Sequence, residues 1–353
     1  MSHIATAPSG EGVYRSIVRR KTLLLGSMTA LLLLCLLLDI ALGPARLPLW
    51  EVIQAVVAPG SVAAASKVIV WEIRLPVALM AVAVGAALAI AGAEMQTILN
   101  NPLASPFTLG ISGAAGFGAA LAIVLGVGVL PLASVALIPA NAFLFAMLAA
   151  LLIYFASQLR GVTIETVVLL GIALVFTFNA LLALLQYIAT EQALQEVVFW
   201  TLGSLTKATW GKVGVAFATI FTVTPFLVIS VWPLTALRLG DEKARSLGIN
   251  VRALRLRVLV LVSLLASVAV AFVGTIGFVG LVGPHIARML VGEDQRFFLP
   301  VAALAGAIMM SATSIVSKEL IPGVIFPIGI ITALVGIPFF LSLIFARRRE
   351  SWG

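Results

Sequence analysis

A single carboxylate inside a long uncharged stretch is the group most able to do chemistry in this sequence. Glu94 is the only charged residue between Leu75 and Pro102, and Gln96 lies close behind it. An ionisable group within a membrane segment is costly, so it marks either a functional site or a compensated charge. Two interpretations follow. Glu94 carries protons in a proton-coupled transporter, or it pairs with a nearby arginine or caps local backbone at the membrane interface.

The remaining reactive side chains are few and isolated. His285 is the only histidine outside the N-terminal tail, and Cys35 is the only cysteine. One histidine with no cysteine and few carboxylates beside it does not make a metal site, and one cysteine cannot form a disulfide within the chain. We therefore expect no metal and no catalytic residue. His285 is interpreted as a structural hydrogen-bonding group at a helix bend, and a membrane enzyme has no support.

The charged segment at residues 240–250 is the most informative polar stretch. Asp241 and Glu242 open a short helix, where acidic residues suit the positive end of the dipole. Gly248 suits its C-terminal cap, and Arg245 adds charge to the exposed surface. The segment is either a compact helix that docks on another protein or an ordinary solvated loop.

These polar groups must be positioned by membrane helices, because the composition leaves little room for anything else. Hydrophobic residues make up 62% of the 353 residues and charged residues only 10%, with a mean hydropathy of +1.18. A soluble domain carries about 25% charged residues, whereas a membrane crossing needs about 20 mostly apolar ones. We predict an all-α polytopic membrane protein with about ten transmembrane helices, the eighth short or bent. The predicted segments are 22–42, 68–98, 107–130, 133–157, 164–189, 209–233, 255–273, 276–291, 298–317 and 325–346.

The basic residues set the predicted topology. With both chain ends inside and ten crossings, sixteen of the 22 Lys and Arg residues fall inside and six outside. This distribution obeys the positive-inside rule. It predicts a cytoplasmic tail over residues 1–21, one membrane domain over 22–349 and a cytoplasmic loop over 236–254. The positive charge is thus a topology signal and not a sign of nucleic-acid binding.

Several stretches, in the same order and from the first helix to the last, resemble the FecCD-type permeases of binding-protein-dependent ABC importers. The matching stretches are residues 85–92, 96–106, 109–112, 202–205, 240–255, 276–281, 284–288 and 332–340. The resemblance implies a type II importer permease that forms a dimer with itself or a paralogue. It also implies cytoplasmic ATPase subunits and a periplasmic or surface substrate-binding protein. This chain lacks the phosphate-binding pattern Gly-x4-Gly-Lys-Ser/Thr, so ATP and Mg would be used by the partner.

The resemblance also implies roles for individual residues. By it, Asp241, Glu242, Arg245 and Gly248 would contact the ATPase. The binding protein would dock on Arg74 and Lys318, although Val77 and Ser314 replace charged residues usual in the family. The pathway would involve the fifth and tenth helices and an outer segment, 195–205, that includes Leu202, Gly203 and Ser204. Glu94 is a further candidate for the pathway or its gate, at a place where an uncharged residue is usual.

The expected cargo is a ferric-siderophore complex, carried across the inner membrane by alternating access. Haem and cobalamin are the alternatives of the same type. A proton-coupled secondary transporter is the alternative from another class, and Glu94 is its only support.

Overall fold

The computed structural model describes residues 10–128, 134–159, 162–321 and 323–350, which form a bundle of helices. In this part of the chain the only β-pairing is an isolated bridge between Ile321 and Val324. A π-helical stretch, Ile69–Arg74, lies between the helix that ends at Val68 and the helix that begins at Leu75. The helices are α1 (Gly10–Ala41), α2 (Leu49–Val57), α3 (Ala64–Val68), α4 (Leu75–Ile98), α5 (Ile111–Leu125), α6 (Ser134–Ala156), α7 (Ile164–Ile188), α8 (Glu191–Thr201), α9 (Trp210–Ile229), α10 (Val231–Leu237), α11 (Asp241–Ser246), α12 (Val251–Val273), α13 (Val279–Val291), α14 (Gln295–Glu319) and α15 (Ile328–Glu350).

The number of membrane helices agrees with the sequence. Among the described residues, seven spans are long and apolar enough to cross a bilayer, and they lie in α1, α3–α4, α6, α7, α9, α12 and α14. Three shorter apolar helices complete the set: α5, α13 and the first part of α15. The all-α polytopic fold with about ten membrane helices is thereby confirmed. The short eighth segment is α13, which has 13 residues and Pro284 inside it.

Two helices begin earlier than the sequence suggested. α1 starts at Gly10 and not near residue 22, so its first turns carry the basic cluster that precedes the apolar run. The part of the predicted tail before residue 10 lies outside the described residues. The short helix expected at 195–205 is α8, which begins at Glu191 because the Thr190 hydroxyl accepts a hydrogen bond from the Ala193 amide.

Helix α4 forms the centre of the bundle. Nearly all of its side chains are buried, and α9, α12, α13 and α14 pack around it. Small residues make this possible, since they let membrane helices approach closely. A Cβ atom at Gly92 would overlap the backbone carbonyl of Gly280 in α13, and one at Gly85 would overlap that of Gly306 in α14. Glu94, one half-turn beyond Gly92, is therefore enclosed on every side.

The helix contacts define two ends of the bundle. α1 and α14 run parallel, because Tyr14 lies beside Arg296 at one end and Asp39 beside Lys318 at the other. Arg255, at the start of α12, bonds the last residue of α4, Ile98, at the same end as Arg296. We call this end, with α10, α11 and the α13–α14 connection, the basic end. The other end, with the residues after α1 and before α15, is the opposite end.

Candidate functional site

The charged segment between α10 and α12 forms a compact helix at the basic end. Helix α11 spans Asp241–Ser246, and Ala244 is its one fully buried side chain. Glu242 and Arg245 are exposed, as is Leu247, whose side chain is 51% exposed. Gly248 follows at a φ of +81°, in the left-handed region that ends helices. Three of the four predicted coupling residues therefore lie on one accessible surface: Glu242, Arg245 and Gly248.

The fourth, Asp241, faces the protein. Its two carboxylate oxygens accept hydrogen bonds of 2.7 Å each from the two terminal nitrogens of Arg255 on α12. The Nε of Arg255 donates to the carbonyl of Ile98, at 2.7 Å. Bidentate arginine–carboxylate pairs combine strength with fixed geometry. Asp241 thus ties α11 to α12 and to the end of α4. The sequence did not indicate Arg255 as a site residue, since its partners lie 14 and 157 positions away.

A second polar network joins the segment before α11 to the α13–α14 connection. Arg238 forms an ion pair with Glu293, and the same carboxylate accepts a hydrogen bond of 2.9 Å from Arg288 Nε. Arg288 also donates to Gln96 Oε1 of α4, at 2.9 Å. The amide side chain of Gln295 donates to the Thr97 hydroxyl at 2.9 Å. Helices α4, α10, α13 and α14 therefore meet through side-chain contacts at the basic end.

Glu94 lies within this region but outside its hydrogen bonds. Its side chain is fully buried, and neither carboxylate oxygen has a hydrogen-bond partner among the described residues. Arg238 is the cation whose charge acts on it. Burial lowers the pKa of the Arg238 guanidinium from its ordinary value, while the negative charge of Glu94 raises it. Of the two interpretations from sequence, the nearby arginine exists, but its ion pair is with Glu293.

At the opposite end, the two predicted docking cations are buried and internally bonded. Arg74 donates to the carbonyls of Ile40 and Ala41, at 2.9 and 2.7 Å, and to that of Ala45. Lys318 donates to Asp39 Oδ1 at 2.5 Å and to the Asp39 carbonyl at 2.9 Å. Their relative exposures are 5% and 8%. The role predicted for them in docking stays a prediction, and in this conformation neither cation is presented on the surface.

A cavity at the opposite end brings three predicted site residues together. Arg74, Lys318 and Ser204 line a space of about 240 Å³, whose other walls are mostly apolar. The Ser204 amide donates to the carbonyl of Val273 at the end of α12, at 2.7 Å. The carbonyls of Gly203 and Leu202 accept hydrogen bonds from the first turn of α15. The predicted pathway segment is thus a backbone joint between α8, α12 and α15.

Glycine is required at this joint. Gly203 has a φ of +74°, and a Cβ atom added to it would lie 2.8 Å from the carbonyl oxygen of Thr275. The Thr275 hydroxyl in turn donates to the carbonyl of Thr201, the last residue of α8.

His285, expected at a helix bend, lies on α13 after Pro284 and packs edge-on against Phe339, with ring centroids 6.0 Å apart.

A profile of the FecCD transport family matches residues 31–346, nearly the whole helical bundle. The chain belongs to this family. It is 38% identical to the hemin transport system permease of Yersinia pestis over 285 residues, which are 80% of this chain and 85% of that protein. It is 34% identical to the vitamin B12 import system permease of Klebsiella pneumoniae, over 94% of this chain and 96% of that one.

The fold comparison agrees. A solved structure described as a metal-chelate type ABC transporter in an inward-facing conformation superposes with a TM-score of 0.80 and 31% identity, covering 92% of this chain and 99% of the other. This FecCD chain is therefore a multi-pass membrane permease with the type II ABC importer fold. Within that frame, the α11 surface, the buried network beside it and the joint at Gly203 are the three parts of the candidate site.

Proposed function

We propose that this FecCD permease moves ferric-siderophore complexes across the inner membrane, driven by ATP that a separate subunit hydrolyses. The single observation that carries the ATP-driven part is the position of α11. An exposed charged helix at one end of the bundle is tied by Asp241 and Arg255 to the ends of α12 and α4. A force applied to its surface reaches the central helix through charged hydrogen bonds, not through a loose loop.

The basic end faces the cytoplasm in this proposal. The arginines of α1, of the segment around α11 and of the α13–α14 connection lie there together. An excess of arginine and lysine marks cytoplasmic ends of membrane helices. The cytoplasmic ATPase subunits therefore meet the α11 surface, and the joint at Gly203 faces the outside. Both chain ends are cytoplasmic in this orientation.

A second copy of this chain, or a paralogue, completes the pathway. The fifth and tenth membrane helices, α7 and α15, carry large apolar side chains with high exposure, among them Phe176 at 71%, Tyr187 at 88% and Leu334 at 64%. Two copies that face each other along these helices enclose a path at their interface. The α8 segment and its joint at Gly203 border the outer entrance of that path.

The binding protein docks over the opposite end. We assign Arg74 and Lys318 the role of holding the outer rim: Arg74 fixes the end of α1 and the chain after it through three carbonyls, and Lys318 fixes α14 to α1. The cavity that they line with Ser204 opens beside the proposed entrance. Docking therefore acts on a rim of fixed shape, and it does not depend on free cations.

The proposed cargo carries its metal already chelated. The described part of the chain contains no group of three His, Cys, Asp or Glu side chains that could hold a metal ion. The two relatives compared above are named for hemin and vitamin B12, which are both metal chelates. A ferric siderophore belongs to the same chemical class: large, preassembled and in no need of protein ligands for its metal.

The test is uptake by the complete importer in proteoliposomes. The permease is reconstituted with its ATPase and binding protein, and uptake is measured across ferric siderophores, haem and cobalamin, with ATP or a non-hydrolysable analogue. ATP-dependent uptake of a ferric siderophore alone is the expected result. Uptake of haem or cobalamin instead would correct the substrate. Uptake that runs on a proton gradient without ATP, and that Glu94→Gln abolishes, would replace the proposal with a proton-coupled transporter.

A further inference from the structure

The unpaired state of Glu94 is the least explained feature of the basic end. A carboxylate that is 0% exposed and has no hydrogen-bond donor in the described part of the chain is strongly disfavoured. Such a group persists when another state of the protein uses it, because buried polar groups are otherwise removed or compensated. The question is which donor reaches Glu94 in that other state.

Arg238 is the candidate donor, because it is the cation whose charge acts on Glu94. Helix α10 packs against both α4, which carries Glu94, and α14. The guanidinium of Arg238 forms an ion pair with Glu293 of the α13–α14 connection. It also interacts electrostatically with Glu94. One arginine therefore pairs with one carboxylate and interacts electrostatically with a second, which belongs to a different structural element.

Removing Arg238 from Glu293 would leave no new charge unpaired. Arg288 already donates to Glu293 Oε1 at 2.9 Å, so that carboxylate keeps a cation when Arg238 leaves. Glu94 has no hydrogen bond or ion pair to a cation in the described part of the chain. An exchange of Arg238 from Glu293 to Glu94 consequently gives the buried carboxyl group a cation and leaves Glu293 paired with Arg288.

Arg238 is also placed to respond to α11. It precedes Gly240 by two residues and Asp241 by three. Helix α11 packs against α10, and Arg238 is the residue that ends α10. A shift of α11 therefore acts directly on the segment that carries Arg238.

We propose that Arg238 is a two-position ion-pair switch, bound to Glu293 in the present conformation and to Glu94 in the alternate conformation of the transport cycle. The inference rests on the proposed ATP-driven function, since α11 movement is what drives the exchange. Glu293 and Glu94 then have opposite effects on one equilibrium: Glu293 favours the present conformation and Glu94 favours the other.

The switch can be tested because the two carboxylates shift the conformational equilibrium in opposite directions. Glu94→Gln removes the second position, so the ratio of alternate to present conformation falls by about a hundredfold, the low end of what loss of one partner of a buried pair does. Glu293→Gln weakens the first position and shifts the same ratio the other way. The matched control is Glu72→Gln, an exposed carboxylate at the opposite end.

The measurement is a distance distribution between spin labels at Leu239→Cys and Ile17→Cys in a Cys35→Ser background. It is made on the complete importer, without nucleotide and with ATP trapped. We expect Glu293→Gln without nucleotide to resemble the ATP-trapped wild type, and Glu94→Gln to resist the ATP-induced shift. Shifts of the same sign in both variants, or wild-type distributions in both, would overturn the switch.

Measurements of uptake and ATP hydrolysis distinguish a failure of the switch from a failure of the proposed function. The unsubstituted complex must first show ATP-dependent uptake; if it does not, the proposed function fails, whatever the labels report. If it does, Glu94→Gln is expected to lower uptake per ATP hydrolysed, while the permease still co-purifies with the ATPase. An unchanged ratio in an active, correctly assembled complex counts against the switch alone.

Discussion

The carboxylate of Asp241 and the guanidinium of Arg255 form a two-point contact, with both hydrogen bonds 2.7 Å long. Arg255 also bonds the last carbonyl of α4, so the pair links an exposed helix to the buried centre of the bundle. Charged hydrogen bonds of this kind are worth about 1.5–3 kcal/mol. The pair therefore connects α11 firmly to α12 and to the end of α4.

Breaking that pair should uncouple transport without releasing the ATPase. In Asp241→Asn and in Arg255→Gln we expect uptake per ATP hydrolysed to fall by about tenfold, because α11 still docks but no longer moves α4 with it. Uptake and phosphate release in proteoliposomes measure the ratio. Arg257→Gln is the matched control, since Arg257 is exposed two residues further along α12.

The double variant Asp241→Asn with Arg255→Gln distinguishes a shared contact from two separate roles. Residues that act through one contact show a strongly non-additive double-mutant cycle. We expect the double variant to be no worse than either single one. Additive losses would mean that Asp241 and Arg255 act independently, and the proposed connection would then be wrong.

A change of charge on the exposed face of α11 should release the ATPase, whereas breaking the Asp241–Arg255 pair should leave it bound. Glu242 and Arg245 are exposed, and Arg245 also lies 3.8 Å from the Asp241 carboxylate, so Glu242→Lys with Arg245→Gln puts no new carboxylate beside Asp241 and removes electrostatic complementarity with the ATPase. We expect loss of co-purification with the ATPase and an unchanged melting temperature of the isolated permease. Retained association with normal uptake would contradict the coupling role of this surface.

The sequence predicted the membrane helices well but not the side-chain contacts between them. Long apolar runs mark helices because a bilayer crossing demands them. Arg74 and Lys318 were placed correctly at one end, but charge counting does not tell whether a cation faces outward or inward. The partner of Lys318 is Asp39, 279 positions away, and the partners of Arg74 are carbonyls at and beyond the end of α1, about 30 positions away. Only the packing of α1 against α14 and against the π-helical stretch brings them together.

Close packing of α4 against α13 depends on Gly92. We expect Gly92→Ala to destabilise the permease by at least about 1–3 kcal/mol, because its Cβ would overlap the carbonyl of Gly280 and neither backbone is free to move. Thermal unfolding of the detergent-solubilised protein measures the loss. Gly214→Ala is the control: Gly214 lies in α9 with nothing within 4 Å of a Cβ, so alanine there is expected to be neutral or slightly stabilising. Equal melting temperatures for the two variants would show that α4 and α13 separate more easily than their contact suggests.

The ion pair between Asp39 and Lys318 should be essential for stability. Both side chains are buried, and Ser314 donates a second hydrogen bond to Asp39 Oδ1, at 2.8 Å. Asp39→Asn leaves the ammonium of Lys318 buried without its counter-charge, which costs about 3–5 kcal/mol. We expect lower thermal stability and lower yield of the purified permease, with unchanged binding to the ATPase at the far end.

A relocated carboxylate should rescue that loss. Ser314 lies one helical turn before Lys318 on α14, and its hydroxyl already reaches the Asp39 carboxylate. Ser314→Asp in the Asp39→Asn background therefore returns a negative charge to within reach of the ammonium, now as an i,i+4 pair on one helix. We expect at least half of the lost thermal stability to return, whereas Ser314→Asn in the same background returns none. Equal behaviour of the aspartate and asparagine variants would show that packing, and not charge, is what Asp39 contributes.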